Sequence, residues 1–330
     1  MITVASKRFL PLLYIALGGF SWCTSAVHAQ TNAYPQKPVK VVVAFTAGGT
    51  TDILARIVAQ QLTEKLKQAF VIDNKPGAGG NLGTEVVVRS PADGYTLIVN
   101  SVGPMAVNTT LYGKLPYNPM TDLVPIVQIA DVPNVLVVNP SVPAKTMEEF
   151  IAYAKANDGK LNYGSTGVGT SSHLSSFMLA KRAGFNATHI PYKGADALKD
   201  LLAGRIQFMF ATIPSVMPQI QAGKLRPVAV SSLKRSRSMP EVPTVAEMGL
   251  PNFEAGSWFG FFAPKGTPEI VISTLNKAVN EILSAPNLEQ QMIAQGADPA
   301  GGSALQFGQF VQRETDKWRV IVKESGAKAE

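Results

Sequence analysis

The sequence predicts an α/β protein with two lobes, each a mostly parallel β-sheet flanked by helices, and a cleft between the lobes. Strand-like and helix-like segments alternate along most of the chain, which is the pattern of an open, mostly parallel sheet. Two such series occur, and each has a loop of small residues between a strand and a helix. The length of 330 residues is enough for two domains of ordinary size.

The first series begins at residues 39–45, an almost unbroken β-branched run that is typical of a strand buried on both faces. From Asp52 to Leu66, apolar residues recur at the spacing of a helix. The elements that follow are predicted as a strand at 70–73, a short helix at 84–89 and a strand at 95–100.

The second series begins near residue 134. Thr146 and Glu149 have the spacing of a capping box at the start of its first helix. The predicted elements are strand 135–138, helix 146–157, helix 174–182, strand 188–191, helix 195–203, strand 206–211, helix 215–222 and strand 227–231.

The last part of the chain predicts one long strand and further helices. Residues 257–264 form the strand, in which Trp258 and Phe259 belong either to the wall of the cleft or to the core. Thr267 and Pro268 predict the N-cap and first turn of a helix. The C-terminal segment has the pattern of an amphipathic helix that packs against the core.

We expect the chain to cross between the lobes twice, near residues 125–138 and 253–263. The first lobe then comprises residues 30–134 and 254–330, and the second lobe comprises residues 135–253. The cleft between two such lobes is the natural site for a small molecule.

Residues 1–29 have the pattern of a cleavable export signal. Lys7 and Arg8 are basic, and the apolar run at 9–20 is too short to span a bilayer. A cleavage site is predicted after Ala29. We therefore expect a mature protein that is soluble outside the cytoplasm.

Composition argues against several kinds of site. Cleavage of the signal would remove Cys23, the only cysteine, and with it any disulfide, zinc-thiolate site or iron–sulfur cluster. The rest of the chain has two histidines and no HExxH pattern, so we expect neither a metal nor a cofactor. The net charge of +7 is thinly spread, which argues against a nucleic-acid partner.

Two loops have the composition of an anion-binding site. They are "FTAGGTTD" at 45–52 and "GSTGVGTSSH" at 164–173, and each precedes a predicted helix. The first N–H groups of a helix lack internal partners, glycine permits close approach, and hydroxyls add donors. The candidate ligand-binding residues in these loops are Thr46, Gly49, Thr50, Thr51, Asp52, Ser165, Thr166, Gly169, Thr170, Ser171 and His173.

Three more candidates follow predicted strands, where ligands of open sheets bind. Asn100, Ser101 and Thr212 are candidates for the far end of the ligand, although turn chemistry would equally account for Asn100 and Ser101. Asp52 also has two interpretations, since an acid in the first turn stabilises its own helix.

Other readings of the loops are weaker. Neither loop has the Gly-Lys-[Ser/Thr] of a Walker A motif, and the second lacks the third glycine of a dinucleotide fingerprint. A serine hydrolase that uses His173 stays open as an alternative, but Ser171 and His173 diverge at a helix start and no Gly-x-Ser-x-Gly motif occurs in this loop.

Several motifs, taken in order, carry a family resemblance. They include "YPQKPVKVVVAFTAGGTTDILAR", "NKPGAGGNLGTEVVVRSPADGYTL", "LNYGSTGVGTSSHL", "HIPYKGADALKDLLAGRIQFMF" and "WFGFFAPKGTP". The chain resembles the tripartite tricarboxylate transporter substrate-binding proteins, also called Bug receptors, over essentially its whole length after residue 29.

The resemblance implies a periplasmic receptor with a two-lobed Venus flytrap fold that captures small organic anions. It implies a membrane partner, a permease with a large and a small subunit. In relatives, the loops that match 46–52 and 165–173 hold a ligand carboxylate, and no catalytic role is carried over. We therefore expect a binding protein, not an enzyme, and a monomer; a sensor that docks on a signalling receptor is an alternative.

The sequence departs from the family pattern in three places. Ala47 replaces a common proline, and a Gly-Pro pair at 103–104 interrupts a stretch that is usually rich in hydroxyls. Ala211 and Thr212 replace a common Asp-Asn pair. The loss of that acid disfavours an amino-acid ligand, so we expect a mono- or dicarboxylate without an amino group.

Overall fold

The computed structural model describes residues 1–5, 7, 34–194 and 196–329. The apolar run and the cleavage site of the predicted signal lie outside these residues. The chain divides into Met1–Ala33 and Tyr34–Glu330, and every element below belongs to the second unit. In the described part of the chain, no helix is both long enough and apolar enough to cross a bilayer.

Strands and helices alternate over most of the second unit, as the sequence predicts, and strands at 123–132, 161–165 and 298–301 add to those predicted. The strands are β1 (Val39–Val43), β2 (Phe70–Asn74), β3 (Thr96–Ser101), β4 (Leu123–Val132), β5 (Asn134–Val138), β6 (Leu161–Ser165), β7 (Ala187–Pro191), β8 (Phe208–Thr212), β9 (Arg226–Val230), β10 (Ser257–Pro264) and β11 (Asp298–Gly301). The α-helices are α1 (Thr50–Leu66), α2 (Asn81–Val88), α3 (Asn108–Leu111), α4 (Pro119–Asp122), α5 (Met147–Ala156), α6 (Ser171–Ala183), α7 (Asp196–Leu202), α8 (Ile213–Gln221), α9 (Glu269–Leu283), α10 (Pro286–Ala294) and α11 (Ala304–Ser325), and a 3-10 helix at Ala78–Gly80 and a π-helix at Gly103–Val107 complete the set.

The strands form two mixed sheets flanked by helices. The first has the order β11-β4-β10-β3-β1-β2, and the second has the order β7-β6-β8-β5-β9. β1 pairs in parallel with β2 and β3, and β6 pairs in parallel with β7 and β8. The pairs made by β10, β11 and β5 are antiparallel. This corrects the expectation of mostly parallel sheets: β4 leaves the first sheet and β10 returns to it, so the two run in opposite directions.

β1 illustrates why a continuous apolar run forms a central strand. Val39, Val41 and Val43 pack on one face of the sheet with apolar residues of α1 and α9. Val42 points to the opposite face and packs with a separate core cluster. All four valines are fully buried, as predicted for a strand covered on both sides.

Two predicted helix starts differ in detail. Thr146 Oγ1 accepts from the Glu149 N–H at 3.2 Å, but the Glu149 carboxylate accepts from Lys145 N–H, so only half of the capping box forms. The prediction of Thr267 as an N-cap is wrong. α9 begins one residue later, with Pro268 at the N-cap, because the Thr267 hydroxyl donates to the Pro264 carbonyl at 2.8 Å.

The two chain segments that join the sheets are bonded to each other. β4 ends at Val132 and β5 begins at Asn134, while the return segment passes through Ala255 into β10. Asn134 Nδ2 donates to the Ala255 carbonyl at 2.7 Å, and Ser175 Oγ donates to the same oxygen at 2.9 Å. This junction fixes the start of β10, which contributes to the site described below.

Candidate functional site

A cavity of about 90 Å³ lies where loops from the two sheets meet. The loops after β1 and β6, the starts of α1 and α6, the end of β3 and parts of α7, β8, α8 and β10 form its walls. The lining residues are Phe45, Thr46, Gly48, Gly49, Thr50, Thr51, Ser101, Val102, Thr166, Thr170, Ser171, Gly194, Ala197, Leu198, Met209, Thr212, Ser215, Val216, Ser257 and Phe259.

The loop between β1 and α1 is held in shape by Asp52. The Asp52 carboxylate accepts hydrogen bonds from the Gly48 N–H at 2.9 Å, from Arg56 Nε at 2.9 Å and from Asn74 Nδ2 at 3.0 Å. Burial opposes the ionised form, but the hydrogen bonds from Arg56, Gly48 and Asn74 together hold the pKa of Asp52 below its ordinary value. Asp52 is not a lining residue; it braces the loop that is.

The loop between β6 and α6 is closed by Thr170, the N-cap of α6. Thr170 Oγ1 accepts from the His173 N–H at 3.4 Å and donates to the Gly167 carbonyl at 2.7 Å. Gly167 and Gly169 have φ angles of +136° and +81°, which side chains disfavour. The Gly169 N–H donates to His173 Nδ1 at 3.3 Å. The loop is therefore fixed mainly by contacts within residues 167–173.

A stack of aromatic rings supports this second loop. The ring centroids of His173 and His189 are 4.0 Å apart, and Tyr163 stacks on His189 at 5.0 Å. Ser165 Oγ lies 2.7 Å from His189 Nε2. Burial lowers the pKa of His173 to about 4, and burial together with His173 lowers the pKa of His189 to about 3. Both imidazoles are therefore uncharged at neutral pH.

The geometry does not pair His173 with a serine nucleophile. Ser171 Oγ donates to Asn134 Oδ1 at 3.4 Å, while His173 Nδ1 accepts from Gly169. The serine–histidine contact that does occur joins Ser165 and His189, and neither residue lines the cavity. The arrangement places these side chains in support of the loop.

Elements of the two sheets touch directly across the cavity. Thr50 Oγ1, at the start of α1, lies 2.7 Å from Thr212 Oγ1, at the end of β8. Gly194 packs so closely against Thr46 that a Cβ atom at Gly194 would overlap Thr46 Oγ1. The structure is therefore a closed arrangement of the two halves around the cavity.

Most of the predicted site residues come together here. Nine of the fourteen line the cavity, namely Thr46, Gly49, Thr50, Thr51, Ser101, Thr166, Thr170, Ser171 and Thr212. The other five, which do not line it, are Asp52, Asn100, Ser165, Gly169 and His173. Asn100 points away from it and donates from Nδ2 to Thr84 Oγ1 at 2.8 Å, because successive side chains of a strand face opposite sides.

The sequence reasoning missed most of the apolar wall. Ala197, Leu198, Met209 and Val216 line the cavity although their helices and strand have ordinary core patterns. Phe259 both lines the cavity and packs in the core of the first sheet, so the wall and core interpretations both hold for this residue. Its neighbour Trp258 faces the other side of β10 and donates from Nε1 to Glu314 Oε2 at 3.1 Å. Strand alternation was the only available signal for Phe259.

The cavity suits an anion without offering it a cation. Among the lining residues that the structure describes, none is charged. Positive potential comes instead from the N-termini of α1 and α6, at Thr50 and Ser171. Nor do the described residues contain a group of three or more His, Cys, Asp or Glu side chains placed to hold a metal ion.

The sequence model of the family described as tripartite tricarboxylate transporter family receptor matches residues 54–327 of this chain. The chain belongs to this family. It is 38% identical to Protein BugT of Bordetella pertussis over 318 residues, which cover 95% of this chain and 98% of BugT. The family resemblance inferred from the ordered sequence motifs is thereby confirmed.

Solved structures similar to this tripartite tricarboxylate transporter receptor have the same two-lobed fold. R. palustris Rpa4515 with adipate has a TM-score of 0.88 and 38% identity, covering 89% of this chain and 99% of that one. Periplasmic binding protein BugD has a TM-score of 0.86 and 35% identity, covering 90% of this chain and 100% of that one. MatC from Rhodopseudomonas palustris with bound malate has a TM-score of 0.83 and 32% identity, covering 88% of this chain and 100% of that one.

Proposed function

We propose that the protein is a periplasmic solute-binding receptor that captures a small organic carboxylate between its lobes. It would deliver this ligand to a membrane transporter with a large and a small permease subunit. The observation that carries the proposal is the convergence of two helix N-termini, α1 and α6, on one cavity lined by hydroxyls. The adipate of Rpa4515 and the malate of MatC support a carboxylate as the ligand.

The carboxylate would sit between the loops at 45–52 and 164–173, which together form the proposed carboxylate cup. Thr50, Thr51 and Ser171 occupy the first turns of their helices, where backbone N–H groups have no partner within the helix. These N–H groups and the Thr46 and Thr166 hydroxyls are the proposed donors, while the Thr170 hydroxyl donates to the Gly167 carbonyl and shapes the loop. Asp52 and the His173–His189 stack would hold the two loops in shape without touching the ligand.

Ligand contact with both halves would favour the closed state. We place the first lobe at residues 30–134 and 254–330 and the second at 135–253, in keeping with the membership of the two sheets. A ligand that bonds to α1 on one side and α6 on the other has more partners when the lobes are closed. Thr50 and Thr212 would meet only in that state.

A binding screen tests the proposal. The purified protein is unfolded and refolded to remove carried-over ligand, and its melting temperature is measured with mono-, di- and tricarboxylates and aromatic acids. A ligand at 100 times its Kd stabilises the folded state by about 2.7 kcal/mol. At least one acid should raise the melting temperature; no shift with any acid would contradict the proposal.

Location and partner need separate tests. Mass spectrometry of the exported protein should give an N-terminus at Gln30, as expected for cleavage after Ala29. Uptake of the identified acid into cells should require both this protein and the two permease subunits. Size-exclusion chromatography with light scattering should give the mass of a monomer.

A further inference from the structure

We propose that the ligand carries one carboxylate and a short apolar tail, with no second charged group at its far end. This inference rests on the proposed function, because it names the class of carboxylate that the same cavity takes. It separates this chain from Rpa4515 and MatC, whose bound adipate and malate are both dicarboxylates.

The wall of the cavity is divided into two unlike parts. Most of the N–H and hydroxyl donors lie around the starts of α1 and α6. The remainder is dominated by apolar side chains from α7, β8, α8 and β10, together with the ends of β1 and β3, namely Phe45, Val102, Ala197, Leu198, Met209, Val216 and Phe259. A second carboxylate against this part would lose its hydration, and no lysine, arginine or histidine among the described lining residues would compensate it.

A third helix, α8, also begins at the cavity, but its N-terminus has little to offer an anion. The Ile213 N–H donates to the Pro133 carbonyl at 3.3 Å, and Pro214 has no N–H. Ser215 Oγ donates to the Thr212 carbonyl at 2.7 Å. Of the first three residues of α8, Ile213 and Pro214 therefore have no N–H group to offer a ligand, in contrast to the starts of α1 and α6.

Ser101, Thr212, Ser215 and Ser257 place hydroxyls on this side, and those of Thr212 and Ser215 are bonded within the protein. Thr212 Oγ1 shares hydrogen bonds with Thr50 Oγ1 at 2.7 Å and with Ser215 Oγ at 3.3 Å. The far part of the cavity is therefore better matched to methyl and methylene groups than to a charged or strongly hydrated group.

The size of the cavity limits the tail. At about 90 Å³ it is well below the roughly 300–1,000 Å³ of pockets that bury drug-sized ligands. An aliphatic acid of four or five carbons is the natural probe, because its carboxylate and tail correspond to the two parts of the wall. Each further methylene that fits should tighten binding about fourfold, until the cavity is full.

Matched pairs of acids test the inference by isothermal titration calorimetry on refolded protein. Butyrate is compared with succinate, and pentanoate with glutarate, so each pair differs only in the second carboxylate. We expect the monoacid to bind at least tenfold more tightly in each pair. A diacid that binds as tightly as its monoacid, or more tightly, would overturn the inference. Failure of the whole carboxylate panel would instead overturn the proposed function.

A variant of the protein makes the test independent of the length of the ligand's carbon chain. Leu198→Arg places a cation on the apolar wall and should shift the preference toward glutarate by at least tenfold. Leu202→Arg is the matched control, since Leu202 lies one turn further along α7, is also half-buried and does not line the cavity. An unchanged glutarate-to-pentanoate ratio in a folded Leu198→Arg protein would count against an apolar far wall.

Discussion

The proposed carboxylate cup can be tested by removing a single backbone donor. Ser171 is the first residue of α6, and its N–H has no partner within the helix. Proline is well accepted at this position of a helix because the missing N–H makes no helical hydrogen bond. Thr170 before it already has φ −77° and ψ 159°, a conformation that suits a residue preceding proline. Ser171→Pro should therefore fold and lack one ligand-facing N–H.

The expected loss follows from the kind of bond removed. A hydrogen bond to a charged group contributes about 1.5–3 kcal/mol. Since about 1.4 kcal/mol corresponds to a tenfold change in Kd, the loss should be roughly ten- to 150-fold. Ser171→Pro also removes the hydroxyl, whose bond to Asn134 Oδ1 is long at 3.4 Å. Ser171→Ala removes only that hydroxyl and is the matched control.

The assay is calorimetric titration with the acid identified by the thermal screen. Ser171→Ala should bind within a few-fold of the wild type, and Ser171→Pro should bind at least tenfold more weakly than Ser171→Ala. Urea unfolding of both variants establishes that the fold is retained. Equal affinities in the two folded variants would refute the idea that this N–H holds the carboxylate.

Three further predictions concern closure, the first loop and pH. Gly194→Ala should abolish tight ligand binding because the new methyl group overlaps Thr46 in the closed form, whereas Gly184→Ala, at a similar positive φ with open space, should bind normally in the same titration. Asp52→Asn should lower the free energy of unfolding at pH 7 by about 2 kcal/mol, measured in urea, because it loses charge-assisted hydrogen bonds. The His173 pKa falls from 6.5 to about 4 on folding, so its contribution is complete above pH 6.5 and is lost as the pH falls toward 4, by roughly 3 kcal/mol in all. His173→Asn should lack this part of the pH dependence in urea titrations; identical pH profiles would contradict it.

The donor side of the candidate site could be predicted from local sequence because its chemistry is local. A glycine- and hydroxyl-rich loop before an apolar-periodic segment places free N–H groups at a helix start, whatever the rest of the chain does. Thr50, Thr51, Thr170 and Ser171 were found in this way, and all four line the cavity. Asn100 shows the limit of the method, since a shift of one residue along β3 exchanges the cavity for the opposite face.

The apolar side could not be predicted in the same way. Leu198 and Met209 satisfy helix and strand periodicity as core residues do, and both do pack with the second-lobe core. Only the packing of α7, β8 and α8 around the first sheet's loops turns their edges toward the cavity. Strand direction could not be predicted for a similar reason, because the local side-chain periodicity is the same in parallel and antiparallel strand pairs.

The forces that close the halves around the cavity are individually weak, which suits a protein that must release what it binds. The Thr50–Thr212 bond joins two neutral hydroxyls. Arg237 reaches Glu289 and Asp298 only at 3.7 Å, and exposed pairs of this kind contribute about 0–1 kcal/mol. A ligand shifts the equilibrium only by its difference in affinity for the two states, so the carboxylate's bonds to both loops would decide closure. A cation in the cup would bind the anion in the open state as well and add less to that difference. Helix N-termini on opposite sides of the cleft, by contrast, act together only when the cleft is closed.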